Sequence, residues 1–203
     1  MPTICFIYTD TNGLHKCYDY PSTKNLYKYA RLIAFHYMIG TYSGGVFTET
    51  FTKHIILKPK TINFDPTAQK IHKITMDDAH KNGIDNLDAI REFKDDLSNV
   101  KIIVGHSLPF HIKALQVECF RTAIDINFSK YILIDMMNFG HKMEYPKLID
   151  IITKYKIDTK LSQLNQYKEL FLILYNEYAK NIKPIEEKKS SYYNSNDDCD
   201  FID

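Results

Sequence analysis

The sequence predicts an α/β domain in which a five-stranded mixed sheet lies between helices on both faces. Three observations carry this. Three strand-like runs come first, between residues 3 and 59, and the Ser43-Gly44-Gly45 turn joins the second to the third as a hairpin. Strand-like and helix-like runs then alternate to residue 183. Finally, "KIIVGHS", residues 101 to 107, is the continuous apolar strand that burial between two helical layers requires.

The elements follow in order. Residues 3 to 9 form the first strand, Leu32 to Ile39 the core of the second and residues 44 to 59 the third, with strands two and three antiparallel to their neighbours. "DPTAQKIHKIT", residues 65 to 75, is a short helical or turn segment capped by Asp65 ahead of Pro66. Residues 86 to 99 place Leu87, Ile90, Phe93 and Leu97 on one helical face. Helices are expected at 110 to 123 and 145 to 157, with a short strand and turn at 131 to 139 between them. The longest helix, 162 to 182, has Leu164, Tyr167, Leu170, Phe171, Leu174 and Tyr178 along its apolar stripe. Residues 184 to 203 are polar and poor in core formers, so a flexible acidic tail is expected after a domain spanning 1 to 183.

With 203 residues, the chain suits one core plus a tail. Its 44% hydrophobic and 25% charged content is ordinary for a soluble protein, and no run reaches the roughly 18 apolar residues of a membrane span. The start, "MPTICFIYTD", lacks a basic segment and a cleavage site, so an intracellular protein, cytoplasmic or nuclear, is expected. Cys5, Cys17, Cys119 and Cys199 are scattered and form no CxxC pair, which points away from zinc and from a disulfide framework. Net charge is only +1, so affinity for phosphates has to come from local patches. Arg is scarce: Arg31, Arg91 and Arg121 are the only three among 26 basic residues, and the Lys, Ile, Asn and Tyr usage fits an A/T-rich genome such as that of a virus or protist.

Several strings, in order, carry a resemblance. "FIYTDTNGL" (6 to 14) is a strand running into a Thr-rich turn with Gly and Leu. "KIHKITMDDAHKNG" (70 to 83), "VGHSLPFHIKAL" (104 to 115), "LIDMMNF" (133 to 139) and "LIDIITKYKID" followed by "YKELFLILY" complete the series. Together these resemble the DEDD-type (DnaQ-like) 3′-5′ exonucleases of the RNase H-like superfamily, over about residues 3 to 180. The resemblance implies a three-layer RNase H-like fold. It also implies four carboxylates that hold two divalent ions about 4 Å apart for phosphodiester hydrolysis.

Carried onto this chain, the family's catalytic set falls on Tyr8, Asp10, His111 and Gln163, with its general-base His near Asp158. One carboxylate in four remains. A phenol and an amide are poor Mg²⁺ or Mn²⁺ ligands, and an imidazole suits zinc better. The resemblance therefore implies a degenerate centre for which no cofactor is expected; Mg²⁺ or Mn²⁺ enters only if the protein is active, with Asp10 and His111 as the metal ligands if any. The ordinary reading of Asp10 is a solvated or capping carboxylate, and that of His106 is a residue fixing its turn by hydrogen bonds. Asp135 and Glu118 are rejected as substitute acids.

The nucleotide-cradling positions of the family fall on Thr11, Asn12, Gly13, Leu14, His106, Ser107 and Phe110; the ordinary reading of Leu14 and Phe110 is core or cleft wall. "YDYPSTKNLYKYAR", residues 18 to 31, interleaves aromatics with Lys24, Lys28 and Arg31 as single-strand binders do, although a plain surface loop gives the same composition. Three functions are carried forward. The first is a catalytically lapsed exonuclease-like module that binds single-stranded nucleic acid or a protein partner. The second is an active 3′-5′ exonuclease with an unorthodox metal site, and the third is a structural or assembly protein.

Overall fold

The computed structural model describes residues 1–17, 19–59, 64–139 and 143–178. The expected tail and the domain end at residue 183 lie outside the described residues, as does the side chain of Tyr178. Among the described residues, no helix is long and apolar enough to cross a membrane.

Among the described residues, five strands form one sheet: β1 (Thr3–Thr11), β2 (Leu32–Ser43), β3 (Val46–Ile56), β4 (Ile102–Gly105) and β5 (Ile132–Asp135), in the order β3-β2-β1-β4-β5. β2 runs antiparallel to β1 and to β3, while β4 pairs parallel with β1 and β5. The alternation of side chains along β1 divides the core in two. Cys5 and Ile7 face α3 (Asn86–Asp96) and α4 (Leu108–Thr122), whereas Ile4 and Phe6 face α5 (Leu148–Lys154) and α6 (Gln163–Tyr178). The result is the expected α/β/α sandwich.

The hairpin closes through Gly44 and Gly45, both at positive φ (56° and 87°), between the paired residues Ser43 and Val46. Two consecutive positive φ values are what a two-residue turn matched to strand twist demands. A bulge between Ile39 and Gly40 shifts the β2–β3 register by one. At Gly40 a Cβ would run into the Thr48 carbonyl oxygen and the Phe47 ring. Gly40→Ala is expected to cost about 2 kcal/mol, read as a lower urea midpoint with unchanged slope.

Asp65 caps α1 (Pro66–His72), its Oδ1 accepting from the Thr67 and Ala68 amides at 2.7 and 3.1 Å. A further helix, α2 (Met76–Asn82), was not anticipated, although Thr75 and Asp78 form a reciprocal capping box at its start. Two expectations need correction. Leu87 is 37% exposed, because Asp85 caps α3 so that Asn86, Ala89, Ile90 and Phe93 point inward, with Leu97 buried in a following 3-10 turn. The 145-to-157 helix shrinks to α5 because Tyr145 and Lys156, both at positive φ, bound it. The short strand and turn expected at 131 to 139 are present: β5 ends at Asp135, whose Oδ1 accepts from the Met137 amide (3.0 Å) and turns the chain.

Candidate functional site

At its C-terminal end β1 carries Tyr8 and Asp10 on one face and Thr9 and Thr11 on the other. On the first face Tyr8 is paired across the sheet with His36, and its ring stacks on that imidazole, 4.4 Å between centroids. Asp10 Oδ2 lies 2.9 Å from His36 Nε2, and His36 Nδ1 lies 2.8 Å from Nδ1 of its cross-strand partner His54. One of these two Nδ1 atoms must carry the proton that the other accepts. Burial, with a smaller contribution from the Asp10 charge, pushes the Tyr8 phenol up to about 12, so it is a neutral hydroxyl.

The layer beneath continues into α6. The Tyr167 ring meets the Tyr8 ring edge-on at 6.3 Å, and Gln163 Nε2 donates to the Tyr167 hydroxyl at 2.7 Å. Burial raises the Tyr167 pKa, and hydrogen bonds from Gln163 and the His106 backbone only partly oppose this. Asp158 stands apart, exposed in the loop before α6, where its Oδ1 accepts from the Lys160 amide at 2.9 Å.

On the opposite face His111, near the start of α4, is buried and fully engaged. The Thr9 amide donates to its Nδ1 at 3.1 Å, with Thr9 Oγ1 2.9 Å away, so the ring proton resides on Nε2 and is donated to the His106 carbonyl at 3.0 Å. This is one neutral tautomer with no lone pair left for another partner. Burial drives its pKa down to about 4, more than the His106 hydrogen bond and the Asp10 charge raise it. His106 Nε2 is held by the Pro146 carbonyl at 3.0 Å, tying the strand-to-helix turn to the start of α5.

The structure thus brings Tyr8, Asp10, His111 and Gln163 around the end of β1 and leaves Asp158 outside. The donor set does not fit a pair of hard divalent ions, which need several carboxylate oxygens between them. Of the four positions only Asp10 is a carboxylate, and it is engaged by His36; the others are a phenol, an amide and a closed imidazole, with Asp135 near Tyr167 at the end of β5. Among the described residues, no three His, Cys, Asp or Glu side chains are grouped to hold a metal ion. His36, His54 and Tyr167 were missed in the sequence, where they read as ordinary strand and helix residues.

The turn after β1 is held by three hydrogen bonds. Thr11 Oγ1 donates to the Gly13 carbonyl at 2.6 Å, and Asn12 holds Arg31 twice: its amide donates to the Arg31 carbonyl (2.9 Å) and its Oδ1 accepts from the Arg31 amide (2.7 Å). Leu14 projects outward, 81% exposed, so it is not core. Phe110 is half-buried between His15 (4.6 Å) and His111 (5.6 Å), and Ser107 sits in the left-handed region (φ 56°) without capping α4. His15 is locked in turn by the Ala30 amide on Nδ1 (3.3 Å) and lies 3.5 Å from the Phe110 carbonyl through Nε2.

Between this turn and the Tyr-rich segment lies a cleft of about 490 Å³, lined by Asn12, Gly13, Leu14, Lys16, Tyr27, Lys28, Tyr29, Ala30, Arg31, Asp65 and Arg121. Its floor rests on Glu118, a fully buried carboxylate of α4. Arg121 Nη1 donates to Oε1 at 2.6 Å, Arg31 Nε lies 3.7 Å away, the Leu32 amide donates at 3.3 Å, and Asn86 Nδ2 donates to Oε2 at 3.1 Å.

Among solved structures, the chain is similar to exonuclease I. It matches E. coli exonuclease I in complex with a dT13 oligonucleotide with a TM-score of 0.68 and 13% identity, over 89% of this chain and 42% of that one. The zinc ion bound form of the E. coli enzyme's single-stranded DNA complex gives 0.69 and 14% over the same shares. The moderately thermophilic exonuclease I from Methylocaldum szegediense gives 0.68 and 13%, again over 89% and 42%. The chain spans less than half the length of these relatives. Likeness at this identity shows the fold, and the fold is the RNase H-like α/β architecture expected from the sequence. No protein-family model and no curated protein sequence matches the chain.

Proposed function

We propose that this chain binds single-stranded nucleic acid through an exonuclease-type fold whose catalytic centre has lapsed. The observation that carries the reading is His111. A residue placed where the family's chemistry calls for an ionised metal ligand is here a neutral imidazole, closed at both nitrogens by Thr9 and His106. Asp10 is engaged by His36, and Tyr8 and Gln163 present uncharged oxygens. With fewer carboxylates at the end of β1, repulsion of phosphates falls. The hydrogen-bonded turn, the outward Leu14 and the cationic cleft beside it are what a binding surface needs, and exonuclease I is itself seen with dT13 and dA16 oligonucleotides.

Labelled single-stranded DNA and RNA, incubated with the protein and Mg²⁺ or Mn²⁺, are expected to stay intact, and calorimetry with Mn²⁺ should show no pair of tight sites. Binding to the same oligonucleotides should weaken about 20-fold between 50 and 200 mM salt if Lys16, Lys28 and Arg31 neutralise about three phosphates, each contributing a slope of roughly 0.7. Cleavage abolished by Asp10→Ala would establish an active exonuclease instead. Absence of any oligonucleotide binding would favour a structural or protein-binding role.

A further inference from the structure

The nucleic-acid reading leaves open where a phosphate is held, and the cleft beside the β1 turn answers through its charge balance. Two of the chain's three arginines, Arg31 and Arg121, converge on one carboxylate, Glu118. The floor therefore carries one positive charge more than Glu118 cancels. Arg121 is committed, with Nη1 on Glu118 and Nη2 on the Leu26 carbonyl at 2.9 Å. Arg31 is not: its Nε is buried without a hydrogen-bond acceptor, 3.7 Å from the carboxylate, while 29% of its side chain stays exposed. Its backbone is held on both sides by Asn12, so the guanidinium is presented from a fixed point.

The rim adds to this. The Lys16 amide donates to the Lys28 carbonyl at 2.8 Å, which sets both lysines at the lip of the same cleft. Asp65 is the opposing charge, with Oδ1 occupied as the cap of α1. Leu14 and Tyr27, 81% and 79% exposed, flank the opening with surface on which a sugar or base can pack. A planar guanidinium with unused N–H groups, partly withdrawn from water and flanked by two ammonium groups, is matched to a tetrahedral oxyanion.

We propose that this cleft is a phosphate site, with Arg31 as the principal ligand and Lys16 and Lys28 at its lip, filled by a phosphate of a single-stranded nucleic acid. The assignment rests on the nucleic-acid reading for the identity of its ligand, though not for its anion chemistry. The full chain would be titrated against fluorescent dT12 and rU12, with inorganic pyrophosphate as competitor. Arg31→Gln is expected to weaken oligonucleotide binding by about tenfold to a hundredfold, the range for a lost charge-assisted hydrogen bond. The double variant Lys16→Gln/Lys28→Gln, confined to side chains at the lip, should lower the salt slope by about 1.4. Lys101→Gln, the same charge change at the far end of the sheet, should stay within about twofold. Pyrophosphate should displace the oligonucleotide from the wild type.

If the wild type binds oligonucleotides and both cleft variants bind them equally well, the cleft is not the phosphate site and the nucleic-acid reading survives. If oligonucleotides fail but calorimetry shows pyrophosphate binding that Arg31→Gln removes, the anion site stands and the nucleic-acid reading falls. Binding of neither ligand overturns both.

Discussion

Glu118→Ala is expected to lower the free energy of unfolding by about 3–5 kcal/mol, the cost of leaving buried charges without their partner. Glu118 is fully buried, accepts hydrogen bonds from Arg121, the Leu32 amide and Asn86, and is ion-paired with Arg31 at 3.7 Å. These come from the segment entering β2 and from both helices of one layer, so the carboxylate joins three parts of the chain. Its removal leaves two guanidiniums facing each other and two donors without acceptors. Glu118→Gln, which keeps the shape and one acceptor oxygen, should cost less than Glu118→Ala. Urea denaturation at neutral pH reads both; a loss under about 1 kcal/mol for Glu118→Ala would mean that water reaches the arginines and the charges are not truly buried.

Acidification from pH 7.5 to 5 should destabilise the protein by about 2 kcal/mol through His111 alone, given a folded pKa of about 4 against an ordinary value near 6.5. Between these values the unfolded chain takes up the proton and the folded chain does not. Stability is therefore complete above about 6.5 and drains away as pH falls toward 4. Burial lowers the pKa values of His15, His54 and His72 as well, so they act in the same sense. His111→Gln should remove its share of the slope while itself costing about 1–3 kcal/mol at pH 7.5, because the Thr9 amide and the His106 carbonyl lose their partners. Denaturation midpoints for both proteins across pH 4.5 to 8 provide the check. An unchanged slope in the variant would place the titration elsewhere.

The sheet was legible because its causes are local or periodic. Gly44-Gly45 announces its turn, the apolar run 102–105 its burial, and Asp65-Pro66 its helix start. The histidine pair was not legible, and the reason is one residue of register. Counting outward from the turn pairs His36 with Lys53; the bulge at Gly40 shifts the ladder by one and sets His36 against His54. A bulge is decided by what the neighbouring layer lets the strand do, and the Phe47 ring against Gly40 is a contact that period-2 reasoning does not contain. Glu118 lies two helical turns beyond His111, too far from the β1 end to serve as a catalytic acid. Nothing in the local sequence announces the arginines, which reach the carboxylate from 87 residues upstream and from the next helical turn. In the same way Thr75 and Asp78 spell a capping box that local reading can recover, whereas the closure of His111 depends on Thr9, 102 residues away.

The mutual hold of Asn12 and Arg31 has one more consequence. Because the chain leaves the sheet and returns to it at the same point, the described residues between form an excursion with one base at the sheet and a tie to α4 through Arg121. Sequence drift or deliberate grafting within it can change the lining of the cleft while the β1–β2 ladder goes undisturbed, so this surface can change faster than the sheet beneath it.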